Sequence, residues 1–389
     1  MRVLIVALKF LPASGGSATY AHNLARGLRE KGHTVRVLAP RYYRKNLDGD
    51  LNYEILRMPM TSELFRGIRI IFAAVQIWWQ YVQFRPDVIW ASSFGGCRAM
   101  GMLGFIRAPW IGTIHGGGII RCRQCGQHFL NRWTLRMGKQ FILQAKCIVT
   151  VSQEAKKLIR SLLPESFSRN DPRVIYNGIE YEPEKFVLKR DALSRHPEFN
   201  DMKVILTVGR LVKAKGHDIT IHAIHRLSQT GKNIRYVIVG EGPEKKNLMS
   251  MAHDLDLGKQ VIFTGYIGQA ALEDYYALCD LFVMAGRETK EFIEGFGLVF
   301  VEASMRGKPV IGTRVGGIPE AIKDGWSGLI IEPDDPEILT QNIQSLLNDP
   351  ARLKLFGENG RQWVYERFTT ATMAKQNADL LSEIALTLQ

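Results

Sequence analysis

The sequence has no long hydrophobic run. Its longest apolar stretch, Ile70–Val82, is 13 residues with two glutamines inside it, whereas a helix crossing a bilayer needs about 20. The opening "MRVLIVALKFLP" lacks a secretory-signal pattern, because its apolar run is short, Lys9 interrupts it and no small-residue cleavage site follows. It reads as a buried first strand, and the expected location is the cytoplasm, with peripheral association on the inner face of the membrane as an open option. Cysteine is scarce and odd in number, five in 389 residues, which argues against a disulfide framework and agrees with a reducing compartment. Cys122, Cys125 and His128 resemble part of a zinc site, but no second CxxC follows, so free thiols in a loop are expected and no metal is. Neither G-x-G-x-x-G nor a P-loop is present, which argues against a dehydrogenase or an NTPase.

Acidic residues are scarce in the first half only. Residues 1–190 hold 29 Lys+Arg against 12 Asp+Glu, and the remainder holds 22 against 26. A basic half followed by a mildly acidic one points to two domains with different partners. An anionic surface suits the first: a membrane or a phosphorylated substrate. Nucleic acid is not expected, because no binding motif accompanies the charge.

Both halves alternate short apolar strands with amphipathic segments, the pattern of parallel sheets covered on two faces. "RVLIVAL", "TVRVLAP", "PDVIWAS", "APWIGTIHG", "KCIVTVS" and "RVIYNG" read as strands of a first sheet. "KVILTVGR", "RYVIVGEG", "QVIFTGY", "DLFVMAG", "KPVIGT" and "SGLIIEP" read as strands of a second. The expected domains are residues 1–185 and 186–370, with 371–389 as a final helix crossing back to the first. Tandem α/β sheets of this kind bind ligands at the carboxyl ends of their strands, in the expected arrangement a cleft between domains.

Two segments carry chemistry. In "TVGRLVKAKG" a strand ends at Gly209, and Arg210 and Lys215 follow; cations there suit an anionic ligand such as diphosphate, although surface charges on a loop would look the same. In "EGFGLVFVEAS" two acids, Glu294 and Glu302, bracket glycines and large apolar residues. Buried acids need cationic partners or a polar ligand. A helix starting near Phe296 would turn its free amides toward negative charge. Glu302 within it is either an acid paired with a nearby arginine or an acceptor for the vicinal hydroxyls of a ribose. His115, before three glycines, is either a satisfied strand-end histidine or part of a functional loop.

At this point the chain resembles the retaining glycosyltransferases of the GT-B fold, most closely glycosyltransferase family 4 and its mannosyltransferase-like members. The resemblance rests on the Gly15-Gly16 loop, "GHTVRVLAP", His115 after "WIGTI", "IVTVS", "VIYNGIE", "VGRLVKAKG", "VGEGPEKKNL", "VIFTGYI" and the E-x7-E stretch, in this order. It implies two Rossmann-like, doubly wound parallel-sheet domains, the first binding the acceptor and the second a nucleotide-sugar donor. Glu302 would bind ribose hydroxyls and Glu294 hydroxyls of the donor sugar. Arg210 and Lys215 would neutralise the diphosphate as it leaves. Gly295, Phe296, Gly297 and Leu298 would offer backbone to the donor, Ile267 would lie against the base, and Gly15 and Gly16 would let the first loop approach. His115 would contact the donor sugar near its anomeric centre. No cofactor is implied. The expected donor is GDP-mannose, with a UDP-sugar second, and the acceptor is a lipid-linked sugar, a phospholipid or a polysaccharide.

A glycosidase also uses paired carboxylates but has no need of Arg210 and Lys215. A sugar-nucleotide-binding protein without transferase activity, or a GT-B-fold epimerase, remains as the alternative. One further segment has two readings. In "LFRGIRIIFAAVQIWWQYVQF" the helical stripe Leu64, Ile68, Ile71, Val75, Trp78 and Val82 is either a core face or, with Arg66, Arg69 and the aromatics around Trp78–Trp79, a membrane-interface patch.

Overall fold

The structure is a computed structural model and describes residues 1–13, 15–41, 51–58, 66–115, 129–162, 171–290 and 292–387. The chain divides into two compact units, Met1–Ile179 with Phe368–Gln389, and Glu180–Arg367.

The first unit runs β1 (Arg2–Val6), α1 (Gly16–Glu30), β2 (Thr34–Pro40), β3 (Glu54–Met58), α2 (Arg66–Phe84), β4 (Val88–Ala91), α3 (Phe94–Met100), β5 (Trp110–Ile114), α4 (Phe129–Gln144), β6 (Cys147–Thr150), α5 (Gln153–Leu162) and β7 (Arg173–Val174). Its seven strands lie in the order β3-β2-β1-β4-β5-β6-β7, every pair parallel. The central strands read as unbroken apolar runs because both faces are covered: all of β4 and β5 is buried. α2, α3 and α4 pack together with the sheet in one core cluster that includes Ile77, Cys97 and Phe141.

The second unit runs α6 (Lys189–Arg195), β8 (Lys203–Val208), α7 (His217–Ser228), β9 (Ile234–Val239), α8 (Lys245–Asp254), β10 (Val261–Gly265), α9 (Gln269–Leu278), β11 (Leu281–Val283), α10 (Leu298–Met305), β12 (Val310–Thr313), α11 (Ile318–Ala321), β13 (Gly328–Ile331), α12 (Pro336–Leu347) and α13 (Pro350–Arg367). Its six strands lie in the order β10-β9-β8-β11-β12-β13, again all parallel. The last helix, α14 (Thr370–Leu386), is part of the first unit, where it packs on α1. That contact is close: a Cβ on Gly27 would lie 2.5 Å from the Ala374 Cβ.

In both sheets the strand order reverses beside the first strand, between β1 and β4 and between β8 and β11. These switch points open a crevice at the carboxyl ends of the strands, where open α/β sheets bind ligands.

The core-face reading of the α2 stripe is wrong. Ile68, Val75, Trp78 and Val82 are exposed, as is Trp79, while Ile70, Ala73, Ala74 and Ile77 face the core. Periodicity marks a stripe without saying which side it faces, and here small alanines turn inward, where α2 must pack against α3. Strand β3 has no counterpart in the sequence reading, because Glu54-Ile-Leu-Arg-Met is an edge strand with charges inside it. Leu64, the glycines 116–118 and the Cys122, Cys125 and His128 group lie outside the described residues, as does the side chain of Arg66.

Candidate active site

The second unit builds its site across the β8/β11 switch. After β8 the chain turns through Gly209 and the exposed Arg210 into a short turn, Lys213–Lys215, and then Gly216 enters α7. Gly216 is obligatory on two counts. Its φ is +64°, and a Cβ there would sit 1.7 Å from the Ala285 carbonyl oxygen. The turn is thereby pressed against the strand end that follows β11. His217, buried at the start of α7, places Nε2 3.4 Å from the Arg210 carbonyl. Burial pushes its imidazole down to about 4, so it stays neutral beside the two cations.

Lys215 reaches across the switch and pairs with the Glu294 carboxylate, in the loop after β11. The two side chains are 13% and 16% exposed. Burial alone would raise the Glu294 pKa. The Lys215 charge and hydrogen bonds from Lys215 and from the Gly297 and Phe296 amides outweigh it, and the carboxyl sits below its ordinary value. The backbone of Glu294 is fixed as well: the Gly317 amide donates to its carbonyl at 2.9 Å. Side chains at Gly316 and Gly317 would collide with the Glu294 and Gly295 carbonyls, at 2.2 and 2.3 Å.

Gly297 caps α10, which starts at Leu298, two residues later than the sequence reading put it. Its first residues Leu298–Val301 carry the chain to Glu302, whose carboxylate accepts a hydrogen bond from the Tyr276 hydroxyl at 3.0 Å. Burial raises the Glu302 pKa, against the opposing Arg306 charge and the Tyr276 bond. The arginine-pairing reading of Glu302 does not describe this geometry. Arg306 commits its guanidinium to the Glu273 carboxylate, with Nε to Oε2 at 2.7 Å, hydrogen-bonds Glu302 at the backbone carbonyl, also at 2.7 Å, and acts on the Glu302 carboxyl by its charge without an ion-pair contact. A carboxylate has about four acceptor positions. Tyr276 fills one, which leaves room for hydroxyl donors. Lys215 pairs with Glu294 and acts on Glu302 only as a weaker charge, behind Arg306. Ile267 lies half-buried after β10, beside the exposed Tyr266.

The first unit builds a separate crevice at the β1/β4 switch. Gly15 precedes α1, and a Cβ there would lie 2.8 Å from Lys9 Nζ; Gly16 faces Asn177. Asn177 is 5% exposed, and its Oδ1 has no hydrogen-bond partner among the described residues. His115, at the end of β5, bonds through Nε2 to the Ser92 carbonyl at 3.0 Å, and the Tyr20 ring meets it edge-on. A carbonyl only accepts, so Nε2 carries the proton and Nδ1 keeps a lone pair. Burial pushes this histidine down to about 4, against the Ser92 bond, with Lys9 adding to the shift. His115 is therefore a neutral acceptor at physiological pH.

Sequence reasoning missed Tyr276, His217, Asn177 and the Gly316-Gly317 pair. The paired glycines in "RVGGIPE" and the Asn before Gly178 are the local signals that could have marked them. Among the described residues no group of three His, Cys, Asp or Glu side chains is placed to hold a metal ion, and no helix is long and apolar enough to cross a membrane.

Comparison with known proteins agrees with this fold. Residues 14–182 match the model for Glycosyltransferase Family 4, and residues 189–363 match that for Glycosyl transferases group 1. A GDP-mannose-dependent alpha-(1-6)-phosphatidylinositol monomannoside mannosyltransferase of Mycolicibacterium smegmatis is 34% identical over 206 residues, 52% of this chain and 54% of that one. The match thus spans about half the length of either protein. An uncharacterized glycosyltransferase of Methanocaldococcus jannaschii is 26% identical over 98% of this chain and 97% of its own. Among solved structures, the sucrose-phosphate synthase of Thermosynechococcus elongatus superposes with a TM-score of 0.85 at 21% identity, covering 99% of both chains. HepE of Anabaena, solved with UDP and glucose, gives 0.78 at 21% identity over 98% of this chain and 100% of that one. With one family model on each half and two parallel sheets of matching topology, the chain belongs to the GT-B glycosyltransferases of family 4.

Proposed function

We propose that this protein transfers a sugar from a nucleoside diphosphate donor to a glycan or lipid-linked acceptor, with retention of anomeric configuration and without a metal ion. The observation that carries the reading is two buried acids held in different ways, Glu294 by Lys215 and Glu302 by the Tyr276 hydroxyl. One carboxylate is clamped by cation and backbone. The other accepts from the Tyr276 hydroxyl and, among the described residues, from no further side chain, which leaves acceptor positions open. In this reading Glu302 binds the ribose hydroxyls and Glu294 the hydroxyls of the donor sugar. Ile267 lies against the base, and Gly295–Leu298 offer backbone.

The chemistry follows from the charges. As the bond from the anomeric carbon to the diphosphate breaks, negative charge grows on the leaving oxygen. Arg210 and Lys215 supply fixed positive charge there, the work a divalent ion does elsewhere. Glu294 is a poor base because its ion pair and amide bonds stabilise its anion, so it is ill suited to act as a covalent nucleophile. Retention then comes from acceptor attack on the face from which the diphosphate departs, with the acceptor proton passing to that departing oxygen. His115, neutral with Nδ1 as acceptor, orients a sugar hydroxyl and does not deliver a proton. Gly15 and Gly16 keep the first loop low enough for the acceptor and diphosphate to approach.

GDP-mannose is the favoured donor, supported by the mycobacterial relative's GDP-mannose dependence, and a UDP-sugar is second. The basic first half supports peripheral association with an anionic membrane surface on the cytoplasmic side. The alternative, a sugar-nucleotide-binding protein without turnover, would bind donor but never release nucleoside diphosphate. Calorimetric titration with GDP and UDP tests the reading: wild type should bind at least one, and Glu302→Ala should bind it on the order of tenfold or more weakly. Equal affinity in both proteins would remove the ribose role of Glu302.

A further inference from the structure

We propose that the outer face of α2 and α4 is the surface on which this protein docks to an anionic phospholipid bilayer. Two independent observations carry it.

The first is an apolar ridge left in solvent. Along α2, Ile68, Val75, Trp78, Trp79 and Val82 are between 43% and 53% exposed, and their spacing puts them on one side of the helix, opposite the buried Ile70, Ala73, Ala74 and Ile77. Two adjacent exposed tryptophans are costly in water. Their rings, each with an apolar body and one N–H, suit the headgroup level of a bilayer.

The second is charge. Residues 64–153 hold 11 Lys and Arg and a single acid, Asp87, which accepts from the Arg2 backbone amide at 2.6 Å. On α4 the exposed positions Arg132, Arg136, Lys139 and Leu143 recur at helical spacing, a basic ridge ending in an aliphatic residue. α4 touches α2, and both pack on the buried α3. The apolar and basic ridges therefore belong to one helical layer on one side of the first sheet. The turns that close this layer add more of the same: Phe105, 65% exposed, and Arg85, Arg107 and Lys146 precede the starts of β4, β5 and β6. α14, which packs with α1, lacks this bias and carries Asp379 and Glu383, the latter paired with Arg173. An apolar ridge beside a row of exposed cations, in a stretch where acids are almost absent, is the composition that partitions to anionic lipid interfaces.

The proposal deepens the membrane partner named above, and the test needs no donor or turnover, so its failure leaves the transferase reading standing. Binding of the full-length protein to vesicles is measured by co-sedimentation, comparing pure phosphatidylcholine with phosphatidylcholine containing phosphatidylglycerol. Anionic vesicles should bind the protein, neutral ones much less, and added salt should release it. Each cation at such a surface contributes about fivefold in partitioning, so Arg132→Gln, Arg136→Gln and Lys139→Gln together should cost on the order of a hundredfold. Trp78→Ala with Trp79→Ala should weaken binding and abolish the quenching of tryptophan fluorescence by brominated lipid. All of these sites are on the surface, so thermal unfolding and nucleotide binding should match wild type. Equal recovery with neutral and anionic vesicles would overturn the proposal, as would variants that bind like wild type. So would absence of vesicle binding with a tryptophan-dependent dimer in solution, because the ridge would then be a protein interface.

Discussion

Replacing Lys215 by alanine perturbs stability and chemistry through one side chain, and the structure separates the two effects. The substitution leaves the Glu294 carboxylate, 16% exposed, with the Phe296 and Gly297 amides but without the cation it pairs with. Removing one partner of a fully buried pair costs about 3–5 kcal/mol; with residual solvent at this pair, roughly 2–3 kcal/mol is expected. For a unit of this size that lowers Tm by roughly 5–10 °C. The loss has a pH signature. Glu294 has a depressed pKa, so its contribution is present above its unfolded value of 4.5 and disappears as pH falls through the folded one. The Tm gap between Lys215→Ala and wild type should therefore shrink in acid. Adding Glu294→Gln removes the stranded charge and should restore most of the Tm. Activity should not follow. Without Lys215 the departing diphosphate loses one fixed positive charge, and kcat should fall on the order of 10²-fold or more in both variants. Scanning calorimetry at pH 7 and pH 4, with nucleoside diphosphate release as the activity readout, tests both arms. An unchanged Tm together with kcat within a few fold of wild type would mean that Lys215 supports neither the Glu294 anion nor the reaction, and an active double variant would rule out the leaving-group role.

Further outcomes are expected at other positions. Tyr276→Phe removes the hydroxyl that donates to Glu302 and should change donor KM more than kcat; an effect confined to kcat would mean Glu302 does chemistry. His115 is held down to about 4, so the unfolded chain takes up a proton below its ordinary 6.5 that the folded one refuses, and stability declines as pH falls from 6.5 toward 4. His115→Gln should abolish about 2–3 kcal/mol of that decline, measured by urea unfolding at pH 7 and 4.5; an unchanged slope would contradict the burial argument. Activity should survive EDTA, and a loss that only a divalent ion restores would show that Arg210 and Lys215 do not carry the leaving-group charge.

The sheets were legible because most strands of doubly covered parallel sheets are short apolar runs punctuated by glycine, as in "RVLIVAL" and "KVILTVGR". β3 was not, since an edge strand with Glu54 and Arg57 lacks that signature. The α2 stripe was visible and its direction was not: hydrophobic periodicity cannot distinguish a core face from an apolar face left in water. At the site, Glu294, Glu302 and Lys215 stood out as charges among glycines and apolar residues. Their supports did not. Tyr276 comes from α9, 26 residues before the acid it meets, and Gly316-Gly317 follow β12, where only folding shows that their bare Cα atoms touch the Glu294 loop. Such contacts depend on the strand order and leave no pattern at short range.

Retaining transfer from a nucleoside diphosphate sugar leaves a stereochemical trace in slow donor hydrolysis, with water as acceptor, followed by proton NMR of the sugar before it mutarotates. With an α-linked donor such as GDP-mannose, nucleoside diphosphate should appear together with the α-anomer of the free sugar. The rate should drop on the order of 10²-fold in Lys215→Ala. Initial formation of the β-anomer would mean inversion, and no nucleoside diphosphate release from any GDP- or UDP-sugar would mean that the protein is not a transferase of this kind.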